Sequence, residues 1–447
     1  MTNPPFGFGL PPSDDSGDRP ENPGGVPGGF DMSQLGAMLS QLGAMISASG
    51  PSTGPVNYDI ARKLAVQQLG SMHPSSSVDL AAVRDAVALA EIWLDGATTF
   101  PVGATSATAW NPAEWVDKTM PTWERLVGPV ADRLGAATVE GLPEEVRSQV
   151  GPMIGMLTSM GGMAFGSQLG AALAQLGKEV LTSTDIGLPL GPDRTAALLP
   201  TAIATLSTSL GMDADQVRLY LAVREAAHHR LFHGVPWLKD KIIALIGEYA
   251  SHTTIDMSAA EELMSSFDPT NLAALQESLG AGMLAPEPTP TQQRIARRLE
   301  ALLALVEGWV DAVVAGAVGE RLPAAAGLAE MLRRRRATGG PAEATFATLL
   351  GVELRPRQLR AAAQLWRDLA ETRGLDGRDA MWSDYDLLPT ADDLESPDDF
   401  VARDKQFSEL LAGLDDLTVA DFEDKPTEGG PTDTDPPDTD PTRPAGD

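Results

Sequence analysis

Two stretches of this 447-residue chain place charge where an apolar helix leaves no room for it. The first reads Arg224-Glu225-Ala226-Ala227-His228-His229-Arg230-Leu231-Phe232-His233, inside a helical pattern running from Asp213 to Phe232. At about 100° per residue, Val217, Leu221, Arg224, His228 and Phe232 form one stripe, with Glu225 at its edge. Arg218, His229, Arg230 and His233 fall on the other side. An arginine, a glutamate and a histidine thus share the apolar face, where each needs a partner. The second stretch, Leu302 to Val314, is apolar nearly all round and reads as a buried helix. Its only charges, Glu307 and Asp311, lie at i, i+4. Two stacked carboxylates in a buried helix require a cation, whether a metal, an arginine or a protonated histidine.

Blander roles exist for each residue. His228 alone fits a satisfied core histidine, and Glu225 can bridge to His229 at i+4. His229 and His233 have metal-compatible spacing, but their face reads as solvated. His73 and His252 are available as further ligands, with nothing to choose between them. The chain has no cysteine, which excludes thiolate metal sites, disulfides and cysteine nucleophiles. A phosphate-binding glycine loop and a Gly-x-Ser-x-Gly elbow are also missing from the sequence.

The two charged helices resemble the paired motifs of zincin metallopeptidases. Those enzymes carry H-E-x-x-H, two zinc-binding histidines and a glutamate base. The gluzincin branch, of which thermolysin is a member, adds E-x-x-x-D on a later helix. Glu307-Gly308-Trp309-Val310-Asp311 fits E-x-x-x-D, and Arg224-Glu225-Ala226-Ala227-His228 fits H-E-x-x-H with arginine in first place. Val235-Pro236-Trp237-Leu238, Gly339-Gly340-Pro341, Phe346, Leu354-Arg355-Pro356-Arg357 and Leu387-Leu388-Pro389-Thr390 extend the likeness to roughly Val56 to Phe400. The chain in these respects is similar to the actinobacterial zincin-2 family of zinc metallopeptidase-like proteins. The resemblance implies Glu225 as general base, His228 and Glu307 as zinc ligands, and Asp311 as the group that orients His228. Arg224 departs from it. A guanidinium keeps its proton in a protein and cannot ligate zinc.

The elements that must position these residues are helical almost throughout. Helical periodicity predicts Val78–Leu94, Pro112–Leu134, Thr201–Leu210, Asp213–Phe232, Leu238–Tyr249, Gln292–Ala317, Ala342–Leu350 and Arg357–Leu369, with few strand-like runs. The fold class expected is therefore mainly α, a zincin-like scaffold with helical lobes. Its domain spans 56–423, with a possible sub-boundary at the proline-rich stretch 285–291. Residues 1–55, rich in Gly, Pro, Ser and Asp, read as a disordered arm, and 424–447 as a disordered acidic tail.

Charge and targeting signals bound the partners. The net charge is −29, and Asp384 to Asp447 holds 20 acidic against 4 basic residues, which opposes binding to nucleic acid or anionic membrane. The run Arg333-Arg334-Arg335-Arg336 reads as an exposed helix end. No secretion signal opens the chain, so a cytoplasmic location is expected. Ser148 to Gly177 lacks charge, but its glycines and Pro152 point to two tightly packed buried helices rather than a membrane span. The functional expectation is zinc-dependent hydrolysis of a peptide bond by metal-activated water, from a degenerate motif. The alternative is an inactive zincin-fold protein that binds a peptide or protein, with Arg224 paired to Glu307 in place of zinc.

Overall fold

The computed structural model describes residues 54–140, 151–252, 288–337, 341–350 and 358–415. The expected acidic tail, nearly all of the N-terminal arm and residues 285–287 of the expected linker lie outside this range. Twelve α-helices are seen among the described residues: α1 (Tyr58–Leu69), α2 (Ser77–Leu94), α3 (Pro112–Glu140), α4 (Gly151–Gly177), α5 (Pro200–Leu210), α6 (Ala214–Gly234), α7 (Trp237–Ser251), α8 (Pro290–Val318), α9 (Ala325–Ala337), α10 (Pro341–Leu350), α11 (Leu359–Ala380) and α12 (Pro397–Asp415). Two four-residue strands, β1 (Ser106–Ala109) and β2 (Thr195–Leu198), pair in parallel, with Ser106 opposite Thr195. The chain is mainly helical, as the periodicity requires.

Local chemistry explains the helix ends. Asp213 caps α6 by accepting from the backbone N–H groups of Asp215 and Gln216. Thr289 and Gln292 form a reciprocal capping box at α8, and Pro290 fills its first position. The helix therefore begins inside the stretch 285–291 expected to be a linker.

α4 is one helix, where two were expected from the charge-free stretch. Its glycines serve packing. Gly162 accepts a hydrogen bond from the Asn57 N–H at 2.9 Å, while methyl groups at Gly166 and Gly170 would lie 2.4 and 2.5 Å from the carbonyl oxygens of Asn57 and Ala61. Small residues let α1 and α4 approach backbone to backbone. Among the described residues, Pro290–Arg321 alone is long and apolar enough to cross a membrane, and 83% of its apolar window is buried inside the fold.

α6 and α8 form the centre. From Tyr220 to Leu231 every residue of α6 is buried, and α8 is buried along most of its length. The expected solvated side of α6 is thus internal at His229 and Arg230, half-buried at Arg218 and exposed at His233. Arg230 can be buried because Glu91 of α2 and Asp95, at the end of that helix, each accept from it at 2.6 Å. α8 is pinned from the far side. Gly308 leaves no room for a methyl group, which would sit 2.6 Å from the Ala362 Cβ of α11. Trp366 donates to the Leu305 carbonyl at 2.9 Å, and Trp309 donates to Asp379 at 2.9 Å. These contacts fix the rotation of α8, and so the direction in which Glu307 points.

Candidate functional site

Arg224, His228, Glu307 and Asp311 come together between α6 and α8. Arg224 Nη2 donates to Glu307 Oε2 at 2.8 Å, and Nη1 lies 3.8 Å from Asp311 Oδ1. His228 Nε2 lies 3.0 Å from the other oxygen, Glu307 Oε1, and Nδ1 lies 2.9 Å from the Arg224 carbonyl. That carbonyl can only accept, so Nδ1 carries a proton. Nε2 faces a carboxylate oxygen, so a second proton must lie between Nε2 and Oε1. The Glu307 carboxylate is thereby used on both sides by residues one helical turn apart on α6.

Asp311 turns elsewhere. It accepts from Arg333 at 3.0 Å, and both nitrogens of His228 are taken by other partners. The arginine run expected as an exposed helix end thus contributes to the cluster through Arg333, which is half-buried on α9. Arg335 reaches Asp185 at 3.6 Å. Burial alone would lower the Arg224 pKa, but Glu307, Tyr220 and Asp311 outweigh it and raise the pKa above its ordinary value. Tyr220, one turn earlier on α6, has its phenol pKa raised by burial, with Arg224 opposing.

Glu225 does not join them. It lies about 100° round α6 and faces β2 and the loop before it. Its carboxylate accepts from the Ser183 hydroxyl, the Thr184 N–H at 3.1 Å, the Thr184 hydroxyl at 2.5 Å, the Ala197 N–H at 3.0 Å and His229 Nε2 at 3.3 Å. A carboxylate offers about four lone-pair sites, so five donors leave none for a water. Burial pushes the Glu225 pKa up, but His229, Ser183 and Thr184 outweigh that and hold it at about 2. Its position is that of a strut tying β2 to α6.

The loop between α4 and β2 touches both carboxylates. Gly187 adopts φ +83°, and a methyl group there would lie 2.8 Å from Glu307 Oε1. Ser183, Thr184, Ala197 and Gly187 belong to no sequence motif, and Arg333 lies in a run expected to be an exposed helix end. No pattern announced them, because each acts through a contact between segments far apart in sequence. His73 and His252 are exposed, as is His233.

A zinc site of this class needs three protein donors around an open place. Here the guanidinium is seated against Glu307, and His228 and Glu307 are bonded to each other. Among the described residues no group of three His, Cys, Asp or Glu is placed to hold a metal. The cavity beside Arg224, bounded by Asp311, Leu332 and Arg333, is about 20 Å³, room for one water. As arranged, these residues do not fit zinc.

The sequence matches the family described as zincin-like metallopeptidase over residues 56–401, most of the chain. The chain belongs to the zincin-like metallopeptidase family. This member shares its fold with a solved structure from Chloroflexus aurantiacus, described as a "putative hydrolase with a novel fold". The two are 18% identical with a TM-score of 0.56, covering 78% of this chain and 98% of the other. No curated protein matches this zincin-like chain at a significant level.

Proposed function

We propose that this chain is a zincin-family protein in which Arg224 does the electrostatic work of the metal, and that it functions by binding a peptide or protein rather than by hydrolysing one. The observation that carries this reading is the 2.8 Å pair between Arg224 and Glu307, with His228 on the second carboxylate oxygen. The two groups the family would aim at zinc, His228 and Glu307, are thereby satisfied by each other and by Arg224. Glu225, the expected base, is saturated by five donors and wholly buried. A base must reach the proton it abstracts, and this one reaches no water.

Family membership favours a second reading, a zinc peptidase, because the family is named for that activity. In that reading His228 and Glu307 would bind zinc, Arg224 would leave, and another donor would take its place. The zinc would polarise a water for attack on the peptide bond.

Zinc content and peptidase activity separate the two. Protein made without an affinity tag should contain far less than one zinc per chain after dialysis against micromolar zinc. It should leave a quenched fluorescent peptide library intact with or without zinc. Stoichiometric zinc together with cleavage abolished by chelator and by His228→Ala would establish the peptidase instead.

A further inference from the structure

A second cavity lies along the first half of α8, lined from Arg294 to Leu305, before Glu307. It measures about 450 Å³, within the range of ligand pockets. Leu302, Leu305 and Leu388 give it an apolar floor, and Arg294, Arg297 and Arg298 line it from the helix. Their spacing, i, i+3 and i+4, puts all three on one face. Asp386 and Asp392 line it too, from the segment after α11.

All three arginines are exposed. Arg298 is engaged by the Tyr385 side chain and attracted by Glu248 and Asp386. Arg294 and Arg297 are not explained by folding: among the described residues Arg294 donates to the Thr291 hydroxyl, at 3.1 Å, and neither has a carboxylate partner. Arg294 also sits near the positive end of the helix, where a cation gains nothing from the dipole. In a chain of net charge −29, three arginines on one wall against two aspartates on the other leave a local excess of positive charge around an apolar floor. A plain solvated helix face has no such floor. Tyr385 is held at the edge, with the Lys241 ammonium 4.1 Å and the Arg298 guanidinium 5.8 Å from its ring centroid. Lys241 adds a fourth cation near the mouth.

We infer that this cleft binds an extended acidic peptide from a partner protein, its carboxylates on Arg294, Arg297 and Arg298 and its apolar side chains on the floor. Charge complementarity identifies the occupant: guanidiniums recognise carboxylates by paired N–H donors, and the leucines take the intervening side chains. Asp386 and Asp392 set a limit, disfavouring carboxylates on the far wall. The inference rests on the binding role proposed above and supplies its location, away from Arg224.

Fluorescence anisotropy of a labelled, N-acetylated peptide of alternating Glu and Leu, titrated with the full chain, tests it. Binding is expected at low ionic strength, weakened about tenfold or more by Arg297→Glu and by 0.5 M salt, since exposed charge pairs are screened. The Lys-for-Glu version of the peptide should not bind. Equal thermal melts for Arg297→Glu and the unaltered chain would show that the loss is local. No binding, or binding indifferent to Arg297→Glu, would overturn the inference. So would binding seen only when Asp433, Asp435, Asp438 and Asp440 are changed to Asn, since the chain's own acidic tail would then be the occupant. Each of these failures leaves zinc content unchanged, so they remain distinct from a failure of the Arg224 reading.

Discussion

Arg224 and His228, one turn apart on α6, hold the two oxygens of a single carboxylate, Glu307, at 2.8 and 3.0 Å. In the reading proposed above, His228 stands at a motif histidine and Arg224 stands where a second histidine would complete the motif. Arg224 would then keep a positive charge against Glu307 in place of an ion. Asp311 then finds its partner in Arg333, on a third helix.

Removal of Arg224 should be costly. Arg224→Ala takes the arginine away from Glu307 and Asp311, in a setting where Arg224 is 8% and Glu307 6% exposed. Breaking a buried pair costs roughly 3–5 kcal/mol. Urea denaturation should show that loss, against less than about 0.5 kcal/mol for Arg334→Ala, whose side chain is 75% exposed.

Acid should weaken the fold through Glu225. Its folded pKa, about 2, lies below the ordinary carboxylate value, so its contribution is complete above about pH 4.5 and is lost as pH falls towards 2. The size is roughly 3 kcal/mol. Stability measured against pH should fall across that window in the unaltered chain. In Glu225→Gln this component should be gone, and a parallel fall in both proteins would contradict the assignment.

Gly187 is predicted to be required beyond its backbone angle. Gly187→Ala meets strain from φ +83° and also pushes on Glu307 Oε1, 2.8 Å from the new methyl group. Gly211 supplies the comparison, with φ +63° and open space around the site. Gly211→Ala should cost about 1–2 kcal/mol from backbone strain alone. Gly187→Ala should cost more than that, measured as the difference in unfolding free energy.

The legible part of this molecule was the part written in helical periodicity. α6 and α8 carry their charges at spacings that place Arg224, His228, Glu307 and Asp311 on buried faces by periodicity alone. β1 and β2 escaped notice because four-residue strands of Ser, Ala, Thr and Leu have no distinctive alternation. With β2 unseen, nothing said that Glu225 would be bonded to Ala197 and Thr184. The same limit hid Arg333, whose partner lies 22 residues away on another helix. His229 and Arg230 looked solvated because a buried salt bridge, such as Arg230 with Glu91, makes a buried face polar.

The most direct measurement compares zinc content and thermal melts of the unaltered chain with those of Arg224→His, which restores both motifs in full. The account predicts far less than one zinc per chain in the unaltered protein and no change in its melting temperature when zinc is added. Arg224→His should melt lower without metal, bind about one zinc per chain and recover stability on its addition, since a metal that binds only the folded state stabilises it. Tight stoichiometric zinc in the unaltered chain, lost on His228→Ala, would contradict the account.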